Sequence, residues 1–245
     1  MSIYDKRKMD EILAGNDYQG RGIVIGKTPD GTKAGIAYFI MGRSENSRNR
    51  VFVKEGDDVM IYPFDESKVE DPSLIIYAPV RTLGNNLIVT NGDQTDTIRD
   101  FVKEGRSFKA ALETREFEPD GPNWTPRISG MLTFGANIES RGDFTYEMSI
   151  LKSIDPVGSA CARYTWSYPS DPGLGHFIHT YETNGNPLPT FQGEPRRVEM
   201  PGTARELAEQ IWYTLNEDNK ISLYVRYTDL LSGEYEDILI NKNAK

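Results

Sequence analysis

The 245-residue sequence predicts an α+β protein built from two antiparallel sheets that carry their helices on the outside. Three observations lead there. Short strand-like runs crowd the first third of the chain and are separated by turn residues rather than by helices. The hydrophobic period then lengthens over residues 93–115, as two consecutive helices require. Strand-like runs return, one helix intervenes after Thr203, and two further runs follow. That order lacks the alternation of βαβ units.

Residues 4–14 carry Tyr4, Met9, Ile12 and Leu13 among charges and run into Gly15, the pattern of a short amphipathic helix with a glycine stop. Strand patterns follow at 22–27, 34–41, 50–54, 58–63, 73–78 and 86–90, with turns at Thr28-Pro29-Asp30-Gly31-Thr32 and Gly84-Asn85-Asn86. This half starts as an antiparallel meander. Asp93 to Asp96 offer a cap for a helix that places Ile98, Phe101 and Val102 on one face and stops at Gly105. Ser107 offers a second cap, for a helix through Phe108, Ala111 and Leu112 to about residue 115. A turn-rich link, residues 119–126, leads to strand patterns at 128–134, 144–151, 158–166 and 175–182. Residues 181–200 have loop composition. Thr203 and Glu206 then fit a capping box, and runs at 221–227 and 235–240 flank Ser232-Gly233 as a hairpin.

Bulk properties exclude several classes. A hydrophobic content of 38% supports a sizeable core, whereas disordered chains fall well below it. A formal charge of −9 with pI near 4.9 argues against a non-specific grip on nucleic acid. No apolar run reaches the roughly 18 residues of a membrane span, and the N-terminus lacks the apolar core of a signal peptide. Cys161 alone builds neither a disulfide framework nor a cysteine metal site, and two histidines, His176 and His179, make histidine-rich metal sites improbable. The expectation is a cytoplasmic protein without a bound metal.

The densest chemical signal is Gly42 to Arg50, with Arg43, Arg48 and Arg50 among Ser44, Asn46, Ser47 and Asn49. Guanidinium is the side-chain group best shaped to grip phosphate or carboxylate, so the run predicts an anion pocket; a solvated turn is the alternative. A second signal is Val89 to Thr97. A strand there runs through Asn91-Gly92 into hydroxyl and carboxyl groups at a helix start, which makes either an anion or carbonyl site or an ordinary N-cap. Tyr77 ends an apolar run, and Glu118 precedes Arg127 by nine positions. Familiar alternatives are missing: no Walker loop, no nucleophile elbow, and the glycines of 20–26 enclose a better strand than a phosphate turn.

Taken in order, these segments resemble the archaeal-type IMP cyclohydrolase family. The resemblance rests on Gly20-Arg21 with Val24 and Gly26, Ala37-Tyr38, Arg43-Ser44, Asn49-Arg50 and Ile76-Tyr77. It continues through Val89 to Gly92, Thr95 to Ile98, Glu118, Thr125-Pro126-Arg127-Ile128, Thr180-Tyr181-Glu182 and Gly202, and spans about residues 20–228. By resemblance the fold is a four-layer αββα sandwich like that of N-terminal-nucleophile hydrolases, without a self-processing nucleophile. Residues 1–19 form a helical extension and 20–245 a single domain. The implied reaction is dehydrative closure of formyl-AICAR, the 5-formamidoimidazole-4-carboxamide ribotide (FAICAR), to IMP, with no cofactor. The implied partner is a purine ribotide, with neither nucleic acid nor membrane involved, and the expected assembly is a homo-oligomer. Matched residue by residue, Arg50, Tyr77 and Glu118 take the catalytic positions. Arg43, Ser44, Asn49, Asn91, Gly92, Thr95, Asp96, Thr97 and Arg127 take substrate-binding ones. The chain departs from the family in reading Ala78-Pro79 where Asn-Cys is common, and in extra length at the N-terminus and between about 166 and 176. Rival readings are a ribotide-binding protein that has lost turnover and an amide hydrolase on the same scaffold.

Overall fold

A computed structural model of the chain describes residues 2, 4–68, 76–135 and 142–243. The first half holds α1 (Met9–Leu13), β1 (Arg21–Lys27), β2 (Lys33–Met41), α2 (Glu45–Arg48), β3 (Val51–Glu55), β4 (Asp58–Tyr62), β5 (Val80–Leu83) and β6 (Asn86–Thr90). Next come α3 (Gln94–Lys103), α4 (Phe108–Glu113), β7 (Arg127–Phe134), β8 (Phe144–Ser153), β9 (Cys161–Pro169) and β10 (Leu174–His179). The last elements are β11 (Arg196–Glu199), α5 (Ala204–Trp212), β12 (Lys220–Asp229) and β13 (Tyr235–Asn241). The protein is mixed α+β, with two antiparallel sheets and few helices. One sheet has the order β11-β10-β1-β2-β12-β13 and the other β3-β4-β5-β6-β7-β8-β9.

Strand alternation explains why so many runs look uniformly apolar. On β2, Ile36, Tyr38 and Ile40 enter a core shared with Phe52, Ile61, Val89, Ile128 and Leu132 of the other sheet. The intervening Ala37, Phe39 and Met41 pack against Met9 and Leu13 of α1 and Leu207 and Ile211 of α5. On β6, Val89 faces the shared core while Ile88 meets Ile98 of α3 and Phe108 of α4. Successive side chains of a strand point to opposite faces, so a sheet covered on both sides needs apolar residues at every position.

Local signals hold at the helices. Thr203 and Glu206 form both halves of a capping box, and Ser107 accepts from the Ala110 N–H. Asp93 forms no cap bond; its carboxylate pairs with Arg115 and Arg127 instead. The N-terminal helix is shorter than its apolar pattern, because Arg7 first forms a bridge with Val198 and donates to the Arg197 carbonyl (3.4 Å).

Elsewhere tertiary pairing overrides local pattern. The meander divides, with β1 and β2 in one sheet and β3 to β6 in the other. Of the strand expected at 73–78, residues 73–75 lie outside the described residues, and 76–78 are irregular. On the side away from β3, β4 is joined to β5 at Val59 and Val80. β9 starts three residues later than its pattern, at Cys161, and β11 interrupts the expected loop by pairing with β10.

Among the described residues no helix is long and apolar enough to cross a membrane, and no group of three or more His, Cys, Asp and Glu side chains is placed to hold a metal ion. Both histidines are packing groups on β10. Burial, aided by Arg197, pushes His176 down to about 4, and its Nδ1 lies 2.6 Å from the Tyr146 hydroxyl. Burial, aided by Arg196, pushes His179 down to about 3. Both rings are therefore neutral near pH 7.

Candidate active site

Gly20 turns the chain into β1 with φ of +78°, and a Cβ at this position would collide with Thr180 and Tyr181. The next residue, Arg21, is held by a backbone bond from its N–H to Thr180 Oγ1 (3.1 Å). Its side chain lines a cleft of about 420 Å³ together with Tyr18, Arg43, Ser44, Arg50, Glu118, Asp120, Thr125 and Tyr181. Four separate chain segments meet there: the start of β1, the turn after β2, the link before β7 and the residues after β10.

The link is fixed by its own polar groups. The Glu118 N–H donates to the Thr125 carbonyl (2.9 Å), and the Thr125 N–H donates to Asp120 Oδ1 (2.6 Å). The Thr125 hydroxyl lies 2.6 Å from the Tyr181 hydroxyl, and Tyr181 stacks on Tyr18. The turn after β2 folds into α2, where Ser44 and Ser47 make reciprocal capping bonds. Arg48 donates Nε to the Gly42 carbonyl (3.0 Å) and Nη2 to Asn219 (3.1 Å) and so ties the turn down. Arg43 stands exposed at the rim, with Nη1 on Asn184 Oδ1 and the Gly185 carbonyl, both at 2.7 Å.

Three guanidiniums and two carboxylates line this cleft, in a chain that is acidic as a whole. Among the described residues, the side chains of Arg21 and Arg50 have neither an ion pair nor a hydrogen bond, and Arg50 Nε is fully buried. Burial and the neighbouring Arg21 cation both press the Arg50 pKa down. Arginine keeps its proton in proteins, so this pressure is better read as a cation that would gain from an anionic or carbonyl ligand. Burial also opposes the Arg21 charge, but the oxygens of Tyr18, Tyr77 and Tyr38 and the Glu118 carboxylate outweigh it and hold its pKa above the ordinary arginine range. Glu118 is lifted above the usual carboxylate range, chiefly by burial, although Arg127, Arg21 and Arg50 pull it back. Tyr77, only 7% exposed, is raised by burial and pulled back by Arg50 and Arg21. A carboxylate, a phenol and two unpaired guanidiniums in one electrostatic neighbourhood can polarise a carbonyl and move protons.

A family model described as an IMP cyclohydrolase-like protein matches residues 18–234, which include every cleft residue named above. The chain belongs to this family. The IMP cyclohydrolase of Methanococcus aeolicus is 35% identical over 119 residues, covering 47% of this chain and 58% of its own length. That of Methanococcus maripaludis strain C7 is 37% identical over 121 residues, with the same two shares. The chain thus spans less than two thirds of the length of these two relatives. The IMP cyclohydrolase of Methanosphaera stadtmanae is 28% identical over 203 residues, covering 80% of this chain and 85% of its own length.

Not every residue matched to the family faces the cleft. Arg43, Ser44, Arg50 and Glu118 line it, and Tyr77 is buried beside Arg50 and Arg21. Asn49 is committed to both backbone groups of Asp65 (2.8 and 2.7 Å). Asn91 donates to the Pro126 carbonyl and accepts from the Ile128 N–H, both at 2.8 Å. Thr95 is bonded to Thr90 and to the Gly92 carbonyl, Asp96 pairs with Arg81 and Arg99, and Thr97 lies half-buried on α3. A Cβ at Gly92 would collide with the Arg127 guanidinium, which bonds Asp93 (2.6 Å) and Gln94 (2.7 Å). Gly92, Asp93 and Gln94 frame the Arg127 guanidinium, and Arg127 acts on Glu118 through its field.

The sequence motifs do not mark Arg21, Tyr18, Asp120 or Tyr181 as site residues, although all four line the cleft. Gly20-Arg21 and Thr180-Tyr181 did belong to the family-like segments, and an arginine opening a strand straight after a turn glycine was the available signal.

Proposed function

We propose that this chain closes the purine ring, converting FAICAR to IMP with loss of water. The observation that carries the reading is the pair of guanidiniums, Arg21 and Arg50, that have no side-chain partner among the described residues and share one cleft with the half-buried Glu118. Membership of the IMP cyclohydrolase-like family and relatives named IMP cyclohydrolase support it.

The cleft holds the carboxamide nitrogen against the formyl carbon, and this positioning supplies much of the acceleration. Arg50 polarises the formyl oxygen as the new C–N bond forms and charge builds on that oxygen. Glu118 takes the proton from the carboxamide nitrogen and passes it to the developing oxyanion, leaving a neutral carbinolamine and a regenerated carboxylate. Tyr77 then gives its proton to the departing hydroxyl, the C–O bond breaks to release water, and the phenolate takes the proton from the former formamido nitrogen as the C=N bond of the closed ring forms. Arg43, exposed at the rim, holds the ribotide phosphate. The arrangement of helices on the outer face of each sheet is also consistent with the αββα sandwich of N-terminal-nucleophile hydrolases. We read residues 20–245 as one catalytic domain and 1–19 as an extension of it.

Incubation with FAICAR, with IMP formation followed by absorbance, tests the reading. Turnover above the uncatalysed rate supports it. Tight IMP binding without turnover indicates a ribotide-binding protein, and release of formate with AICAR indicates an amide hydrolase. Arg43→Ala is expected to raise KM about tenfold, the scale of one charged hydrogen bond, with kcat within about twofold. A kcat loss at unchanged KM would remove Arg43 from the phosphate.

A further inference from the structure

Tyr38 lies mid-strand on β2 with no exposed surface, stacked on Phe52 within the core between the sheets. A phenol hydroxyl in such a place needs a partner. Among the described residues its one hydrogen-bond partner is the Tyr77 hydroxyl, at 3.2 Å. One proton lies between the two oxygens, and the other must point elsewhere. If Tyr77 donated, the Tyr38 hydrogen would be left without an acceptor inside the core. If Tyr38 donates, the Tyr77 hydrogen points away from the pair, on the phenol that keeps 7% of its surface open. The charged groups around the pair do not choose between the two directions, which accessibility decides. Arg21 at the start of β1 and Arg50 before β3 both stabilise negative charge on either phenol, whereas Glu118 in the link before β7 opposes it on Tyr77. Tyr77 is the more accessible of the two and the natural seat of a transient phenolate.

We propose that Tyr38 is a positioning residue for Tyr77: its hydroxyl donates to the Tyr77 oxygen, aims the phenol and stabilises the phenolate left once Tyr77 has given up its proton. The inference rests on the reading that Tyr77 transfers a proton to the departing hydroxyl. It assigns to β2 a role in the chemistry, because the strand that builds the core also sets the acidity of the proton donor. It also explains how Tyr77, which lies in an irregular segment, holds a defined direction. Its carbonyl accepts from the Ile61 N–H (2.9 Å) while its hydroxyl is tied to Tyr38, so both ends of the residue are fixed.

Tyr38→Phe preserves the ring and its packing and removes only the donor. It is expected to lower kcat about tenfold with KM within about twofold, the loss of one pKa unit of phenolate stabilisation. The direct readout is independent of turnover. With 3,5-difluorotyrosine placed at position 77 to lower the phenol's acidity range, its ¹⁹F titration midpoint should rise by about one pH unit in the Tyr38→Phe background. The same fluorinated residue should restore part of the lost kcat, which a purely structural defect would not allow. An unmoved midpoint overturns the proposal, as does a fall in kcat that fluorination leaves uncorrected. A shifted midpoint in a protein that never turns over FAICAR would instead overturn the ring-closure reading and leave the hydroxyl pair standing.

Discussion

Glu118→Gln is expected to lower kcat for FAICAR closure by about 10²-fold or more while IMP binding stays within a few-fold. The amide keeps the shape and hydrogen-bonding reach of the carboxylate but cannot accept the carboxamide proton, and general-base removal costs on this scale. The pH dependence gives the sign. Burial holds the Glu118 pKa above the usual carboxylate range, so the base is lost at a higher pH than an exposed glutamate would be. The wild-type rate should therefore fall on acidification through that raised pKa, and the variant's residual rate should lack this limb. The same shift links to stability. A carboxyl whose folded pKa is raised favours the fold below its unfolded pKa, and that contribution disappears as pH rises through the folded value. Glu118→Gln should thus gain thermal stability over wild type near pH 7 and lose the advantage near pH 4, as read by Tm. A variant that is less stable at both pH values and equally active would remove Glu118 from the chemistry.

Arg50→Met should lower kcat by about 10²- to 10³-fold, the range for losing one donor to a developing oxyanion. Its Tm should hold or rise. Arg50 has no hydrogen-bond or ion-pair partner among the described residues, and burial and the neighbouring Arg21 cation outweigh what Tyr77, Glu118 and Tyr38 return to its charge. Arg81→Met is the contrasting control. Arg81 pairs with Asp58 (2.8 Å) and Asp96 (2.9 Å), so its loss should lower Tm and leave kcat near wild type. If both variants lost stability and neither lost rate, Arg50 would be a structural cation like Arg81.

The division between what could be read early and what could not follows the range of the interactions. Caps and stops depend on neighbours in sequence, so Ser107, the Thr203–Glu206 box and the Gly105 and Gly233 turns were all legible. Strands covered on both faces were legible as apolar runs, β2 most clearly. Which sheet each strand joins was not, because β1 finds its second neighbour in β10, about 150 residues away. β11 and β5 are only four residues long and are defined by their partners.

At the site, residue type marks Arg43 and Arg50, and the family resemblance adds Glu118; all three line the cleft. In the hydroxyl and amide block 91–97, the Asn91, Gln94 and Thr95 side chains are engaged at the β6–α3 junction and with Arg127, whereas Asp96 pairs with Arg81 and Arg99. A sequence displays a polar group but not whether that group already has a partner. The same blindness hid Arg21, which matters because no described side chain satisfies it.

A crystal structure with IMP bound tests the central claim most directly. The pyrimidine edge of the base is expected within hydrogen-bond reach of Arg50 and Glu118, with the Tyr77 hydroxyl facing it and the phosphate turned toward Arg43. IMP bound outside this cleft, or bound with its phosphate on Arg50 and its base away from Glu118, would contradict it.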